Sequence, residues 1–182
     1  MFCVFAVATG EVKTAIENEL CAFYDSASAA QTGGWLSKLT LWLRGGAPNG
    51  DYNTRFPYPE HLNSRRRENG FAFYEYLGIG RKDLAARTKQ LRRNYEFFGA
   101  PVAIFIFVRD GPQSMGPYAA LDAGCYLQNL LLSAKAHGLG ACAQGSLATW
   151  SSPVRKQFPD IPPGYKLLCG VSLGYASDDK IK

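Results

Sequence analysis

Histidine is scarce in this chain: only His61 and His137 occur in 182 residues. The five cysteines (Cys3, Cys21, Cys125, Cys142 and Cys169) are odd in number, scattered and without a C-x-x-C pair. A zinc centre has little to build on, and no metal is expected. Most of these cysteines read as buried small hydrophobes in a reducing compartment, with a reactive thiol as the open alternative. Long apolar runs are missing as well. The longest, 100–108, is nine residues and reads as a core strand, whereas a bilayer span needs ~18–20. Phe2 to Ala8 is apolar but has no basic residues before it, and Glu11, Lys13 and Glu17 follow in a helical pattern. A strand feeding a helix fits better than a signal peptide, so a cytoplasmic protein without a membrane partner is expected. The sequence also contains no G-x-x-x-x-G-K-[ST], G-x-S-x-G or H-E-x-x-H, and no G-x-G-x-x-G after a strand. Gly138-Leu139-Gly140 only superficially resembles a dinucleotide fingerprint, because it precedes a strand instead of following one.

What is present suits a folded domain. Apolar residues make up 47% and charged residues 19%, and the length suits one domain spanning 1–182. Aromatic residues are plentiful, 3 Trp, 10 Tyr and 11 Phe, so the chain can bury large planar groups, its own or a ligand's. Nine basic residues lie between Arg65 and Arg93 against only Glu68, Glu75 and Asp83. A solvated face of two helices is the plainer reading and an anion-attracting surface the sharper one. No nucleic-acid module is present there, and no nucleic-acid partner is expected.

Along the chain, 2–8 reads as a strand, Gly10 to about Tyr24 as an amphipathic helix and 26–34 as a small polar loop. Trp35 to Leu43 carries apolar residues at helical spacing, as a core, lid or subunit contact would. Residues 44–59 are rich in Gly, Pro, Asn and Asp, an irregular segment of the functional or mobile kind. Helical patterns run from Glu60 to about Leu77 and from Arg81 to about Phe97, with Gly78 or Gly80 as the stop between them. Val102 to Val108 is a strand covered on both faces. Tyr118 to His137 is a helix apolar round most of its circumference, and therefore central or at an interface. A strand at 139–143, a turn at 144–146, a helix from Trp150 to about Phe158 and a strand at 166–174 complete an α+β order, with helices around a small mixed sheet.

Several segments in this order resemble the flavin-dependent nitroreductase family. They are Asn94-Tyr95-Glu96-Phe97-Phe98-Gly99-Ala100-Pro101 before the buried strand, Leu121-Asp122-Ala123-Gly124 leading to Gly138-Leu139-Gly140, Cys142-Ala143-Gln144-Gly145, Val154-Arg155 with Ile161-Pro162, and Leu168 to Ala176. The resemblance implies a nitroreductase-like fold, with the long central helix at a homodimer interface and FMN bound there. It implies an NAD(P)H-dependent oxidoreductase that passes electrons to a nitroaromatic or quinone-type acceptor by ping-pong transfer. No side chain is assigned a catalytic role, since the flavin carries the chemistry. The family's turn against the isoalloxazine corresponds here to Ala143, Gln144, Gly145 and Ser146. A glycine there lets backbone approach a planar ligand, and N–H donors favour charge developing at N1 and O2.

Two family features have no counterpart. One is the segment with R-R-S-x-R and a later Pro-Trp loop, which in the family precedes the first strand. The other is a C-terminal arm with a further phosphate-binding Arg. The resemblance therefore implies a shortened chain, with Met1 an internal methionine and FMN affinity reduced for want of phosphate clamps. The competing expectation is a non-catalytic truncated paralogue, a dimerising or binding module without flavin.

Overall fold

A computed structural model describes residues 3–43, 46–52, 59–114 and 117–177. Its centre is a four-stranded sheet of β1 (Cys3–Thr9), β2 (Val102–Arg109), β3 (Gly140–Gln144) and β4 (Tyr165–Gly174), in the order β1-β2-β4-β3. Where a mixed sheet is expected, every pairing is antiparallel. Neighbouring strands run in opposite directions, as the register of Thr9 opposite Val102 and Gly140 opposite Gly174 shows.

The β-branched and aromatic run of β2 is covered on both faces. Phe105 and Phe107 point to one side, into a cluster with Ile16, Leu20, Leu147, Trp150, Val154 and Leu167. Ile104, Ile106 and Val108 point to the other, beneath Ala119 and Ala123. A register shift between Ile106 and Phe107 leaves Leu168 of β4 without a direct partner, the extra residue of a bulge.

Helix α1 (Gly10–Thr32) covers the first face. It runs eight residues past the expected end at Tyr24 and absorbs most of the segment read as a loop. Composition alone undervalued that stretch: its alanines favour helix, Ala27 packs on the core, and Ala30 is buried in it. The other face is covered by α5 (Tyr118–Ala136) through Ala119, Ala123 and the half-buried Leu127, Leu130 and Leu131. Its far flank stays open: Leu121 and Leu132 are exposed, and a shallow groove runs past Ala120, Gly124, Cys125 and Gln128. The helix is thus apolar on two sides, only one of which meets the sheet. It stops at Gly138, whose φ of +72° allows Leu139 N–H to reach back to Ala134 O at 2.8 Å, a left-handed cap that favours glycine.

The helices α2 (Trp35–Leu43), α3 (Glu60–Tyr76) and α4 (Leu84–Arg92) lie outside the core, and α6 (Ser152–Gln157) buries Pro153 and Val154. Trp35 and Trp42 of α2 are more than 70% exposed, so its apolar face is not core. The irregular segment expected at 44–59 is held firmly where it is described, over 46–52. Trp150 Nε1 donates to Gly46 O at 3.0 Å, and Ser151 Oγ shares its one proton between Asn49 O at 3.0 Å and Asp51 Oδ1 at 2.9 Å. At Gly50 a Cβ would stand 2.2 Å from Ala148 O, so only glycine permits this approach. The remainder of that expectation, 44–45 and 53–58, lies outside the described residues.

Candidate functional site

One end of the sheet opens into a cleft of about 480 Å³ between three segments. These are Phe97 to Pro101, the start of β3 at Gly140 to Cys142, and the end of β4 from Ser172 to Ser177. The first wall is built under strain. Phe97 and Phe98 hold φ of +52° and +54°, followed by Gly99 at +79°. Left-handed backbone at two consecutive aromatic residues costs of order 1–3 kcal/mol each and persists only where surrounding packing enforces it. Here Phe97 is fully buried, edge-on to Phe105, with Lys13 Nζ 5.3 Å from its ring centroid. Phe98 faces the cleft, and the Arg93 guanidinium carbon lies 5.8 Å from its ring centroid. Composition and periodicity carry no signal of this strain; only the family resemblance drew attention to the segment.

The turn singled out in the sequence follows directly from this cleft. Cys142 lines it, and the next residues, Ala143 and Gly145, are exposed. Gln144 turns the other way and is buried. Its Nε2 donates to Asn94 O at 2.8 Å, and its Oε1 accepts from Ser172 Oγ. Gln144 therefore ties the strained wall, β3 and β4 together, and its side chain is not free to meet a ligand. Gln144→Leu would leave Asn94 O and Ser172 Oγ without this partner, at about 1–3 kcal/mol per buried group. Urea unfolding should show a loss of about 2 kcal/mol; an unchanged midpoint would mean that the three segments hold together without this bridge.

Gly145 opens a 3-10 helix over Gly145–Thr149, so its first N–H groups have no preceding helical carbonyl to reach. A Cβ placed on Gly145 would have nothing within 4 Å. The Ser146 hydroxyl is the reverse case, a buried oxygen without a hydrogen-bond partner among the described residues. Buried hydroxyls are normally matched, which sets this one apart. The four turn residues are thus of two kinds: Ala143 and Gly145 are exposed, while Gln144 anchors and Ser146 holds an unmet hydroxyl.

The cysteines divide in a way the sequence did not separate. Cys3 and Cys21 are buried as expected and Cys169 is half-buried, whereas Cys125 and Cys142 are exposed. Desolvation raises the Cys142 thiol and pushes Cys169 up to about 11. Burial thus favours the thiol form at both, and of the two it is Cys142 that lines the cleft. Among the described residues no group of three or more His, Cys, Asp or Glu could hold a metal, and no helix is long and apolar enough to cross a membrane.

Comparison with known proteins adds to this geometry. The model of the nitroreductase family matches residues 53–175. A 4-nitrobenzoate reductase of Nocardioides sp. (strain LMS-CY) is 40% identical over 119 residues, 65% of this chain and 47% of that protein. A 4-nitrobenzoate reductase of Pseudomonas putida is 37% identical over 125 residues, 66% of this chain and 53% of that protein. The chain thus spans about half the length of these curated relatives. Among solved structures, the FMN and NADPH-dependent nitroreductase NfnB from Sphigopyxis sp. strain HMH superposes with a TM-score of 0.75 at 28% identity, over 97% of this chain and 70% of that one. The FMN-dependent NfnB from Mycobacterium smegmatis, in complex with NADPH, gives 0.69 at 26% identity, over 97% and 69%.

Proposed function

Because the chain belongs to the nitroreductase family, we propose that it is an FMN-linked oxidoreductase taking electrons from NAD(P)H to a nitroaromatic or quinone-type acceptor. The observation that carries this reading is the turn after β3, with open space over Gly145 and an unmatched buried hydroxyl at Ser146. Open backbone beside an aromatic-walled cleft fits the flat, polar edge of an isoalloxazine. Bound FMN would supply hydride acceptance and its onward transfer. The N–H groups of the turn would hold the ring's pyrimidine edge and favour negative charge there, because fixed donors need no reorganisation as charge develops. Gln144 would position those groups, and Phe98 would supply apolar wall beside them. The described lining of the cleft contains no Lys or Arg for the phosphate.

A second copy of the chain would complete the site. The open flank of α5 and its groove of small residues, continuous with Leu121, supply an apolar surface suited to pairing into a homodimer. The five free thiols and the nicotinamide chemistry fit a cytoplasmic setting.

The test uses the 182-residue chain mixed with FMN and passed through a desalting column. Flavin absorbance should co-elute with protein and bleach on anaerobic addition of NADPH. Flavin eluting entirely free, with the protein folded by circular dichroism, would favour the flavin-free binding module instead. Sedimentation velocity of the same sample should show the dimer.

A further inference from the structure

We propose that the cleft between α3 and α4 is a binding site for a small planar aromatic anion. The cleft is separate from the one at the sheet's end, and the proposal does not rest on flavin binding. It measures about 460 Å³ and is walled by Phe71, Tyr74, Ile79, Arg81 and Arg87, with Glu75 the one acid in its lining. That volume lies within the range of small-molecule sites. It exists because α3 and α4 are joined by a turn whose Gly78 and Gly80 carry no side chain to fill it; Gly78 holds φ +68° and has open space where a Cβ would stand.

Both arginines lie over aromatic rings of the cleft's own wall. The Arg81 guanidinium carbon lies 4.7 Å from the Phe71 ring centroid, and that of Arg87 lies 4.4 Å from the centroid of Tyr74. A ring beneath the cation shields one side of it from water, while N–H groups on the other side can meet a carboxylate or phosphate. Among the described residues neither arginine belongs to an ion pair. Arg87 uses one N–H on Arg81 O, at 3.5 Å. The nearest acid of the turn, Asp83, is engaged as the cap of α4, accepting from Ala86 N–H at 2.9 Å.

Charge then selects the sign of the ligand. Between Arg65 and Arg93 nine basic residues face three acids, and with Arg92 set aside, paired as it is with Asp25 and Glu96, the surroundings still carry a positive field despite Glu75. The aromatic walls select its shape, because a flat ring packs well against Phe71 and Tyr74. The shared chemistry is an aromatic ring bearing an anionic group, as in an arene carboxylate or the phosphate-bearing adenosine half of a dinucleotide.

Isothermal titration of the purified chain with 4-nitrobenzoate and, separately, with adenosine 2′,5′-bisphosphate distinguishes these sources, since the one that binds more tightly identifies the class. Neither probe needs flavin, so failure here is independent of the flavin test. Arg87→Gln should weaken the tighter probe by about tenfold or more, the loss of a charge-assisted bond. Arg87→Lys should recover only part of it, because an ammonium keeps the charge but not the stacked plane. Arg67→Gln, in the same basic stretch but not among the residues lining the cleft, should change affinity less than about twofold. Inorganic phosphate, which lacks the ring, should bind at least about tenfold more weakly than the tighter probe. The proposal is overturned if neither probe binds, if phosphate binds as well as both, or if Arg67→Gln costs as much as Arg87→Gln in variants that retain the parent circular dichroism.

Discussion

Gly145→Val is expected to leave the fold as stable as the parent and to weaken FMN binding by about a hundredfold, roughly 3 kcal/mol. The two halves have separate physical grounds. Nothing lies within 4 Å of a Cβ at this position, and its backbone is not left-handed, so a side chain meets neither clash nor strain. Surface changes of that kind shift stability by at most about 0.5 kcal/mol. A branched side chain there would nevertheless stand where a flat ring must approach, holding it off the donors of the turn. Losing one such preorganised donor costs about 3 kcal/mol. Urea unfolding and a flavin-fluorescence titration of the two proteins read the halves independently. Equal FMN affinity in parent and variant would show that the turn after β3 is not the flavin's seat.

Asp51→Ala should be the more damaging change to the fold, lowering the unfolding free energy by about 3 kcal/mol. Asp51 lies in the irregular segment 46–52, yet its carboxylate gathers three partners. Arg155 donates to Oδ2 at 2.7 Å, Leu167 N–H donates to Oδ2 at 2.7 Å, and Ser151 Oγ donates to Oδ1 at 2.9 Å. Its side chain is 15% exposed and that of Arg155 28%, so the figure is set at the low end of what breaking a buried pair costs. Removing the carboxylate strands an arginine that also stacks 5.4 Å from the Phe107 ring centroid and donates to Tyr165 O. Burial alone would raise the Asp51 carboxyl, but the bonds from Arg155, Leu167 and Ser151 outweigh it and hold the group below its ordinary value. A depressed folded value means that this stabilisation is complete above the unfolded carboxyl range, about pH 4. It is lost as pH falls through the folded value. The variant should therefore lose less stability than the parent on acidification below about pH 4. Denaturation midpoints collected across acidic pH check this, and parallel curves would remove Asp51 from the account.

Much of the fold was legible because periodicity and punctuation act locally. The β-branched run 102–108 could only be a doubly covered strand, and Gly138 could only close the helix before it. The failures were non-local. The helix continuing to Thr32 is held by Tyr24 and Ala27 on a core that is distant in sequence. The Gly- and Asn-rich residues 46–52 look mobile until Trp150, Ser151 and Arg155 are placed against them. At the candidate site the turn was found through family resemblance, while its division of labour was not. Nothing in the string Ala143-Gln144-Gly145-Ser146 says which side chain turns inward. Asn94 and Ser172 decide that, from 50 and 28 residues away.

By itself the sequence determined the order of elements, the two-sided burial of the central strand, the family and the excess of basic residues between 65 and 93. All but the family follow from residue types read against neighbours a few positions away; the family follows from the resemblance of several segments in order. Only the tertiary structure decided that the sheet is wholly antiparallel, that Phe97 and Phe98 are held in left-handed backbone, and that Asp51 is an anchor. It also decided that two of many surface arginines are stacked over rings beside a cleft. Strain, buried charge and cavities arise from contacts between segments far apart in the chain, and no local pattern encodes which distant group will supply the partner.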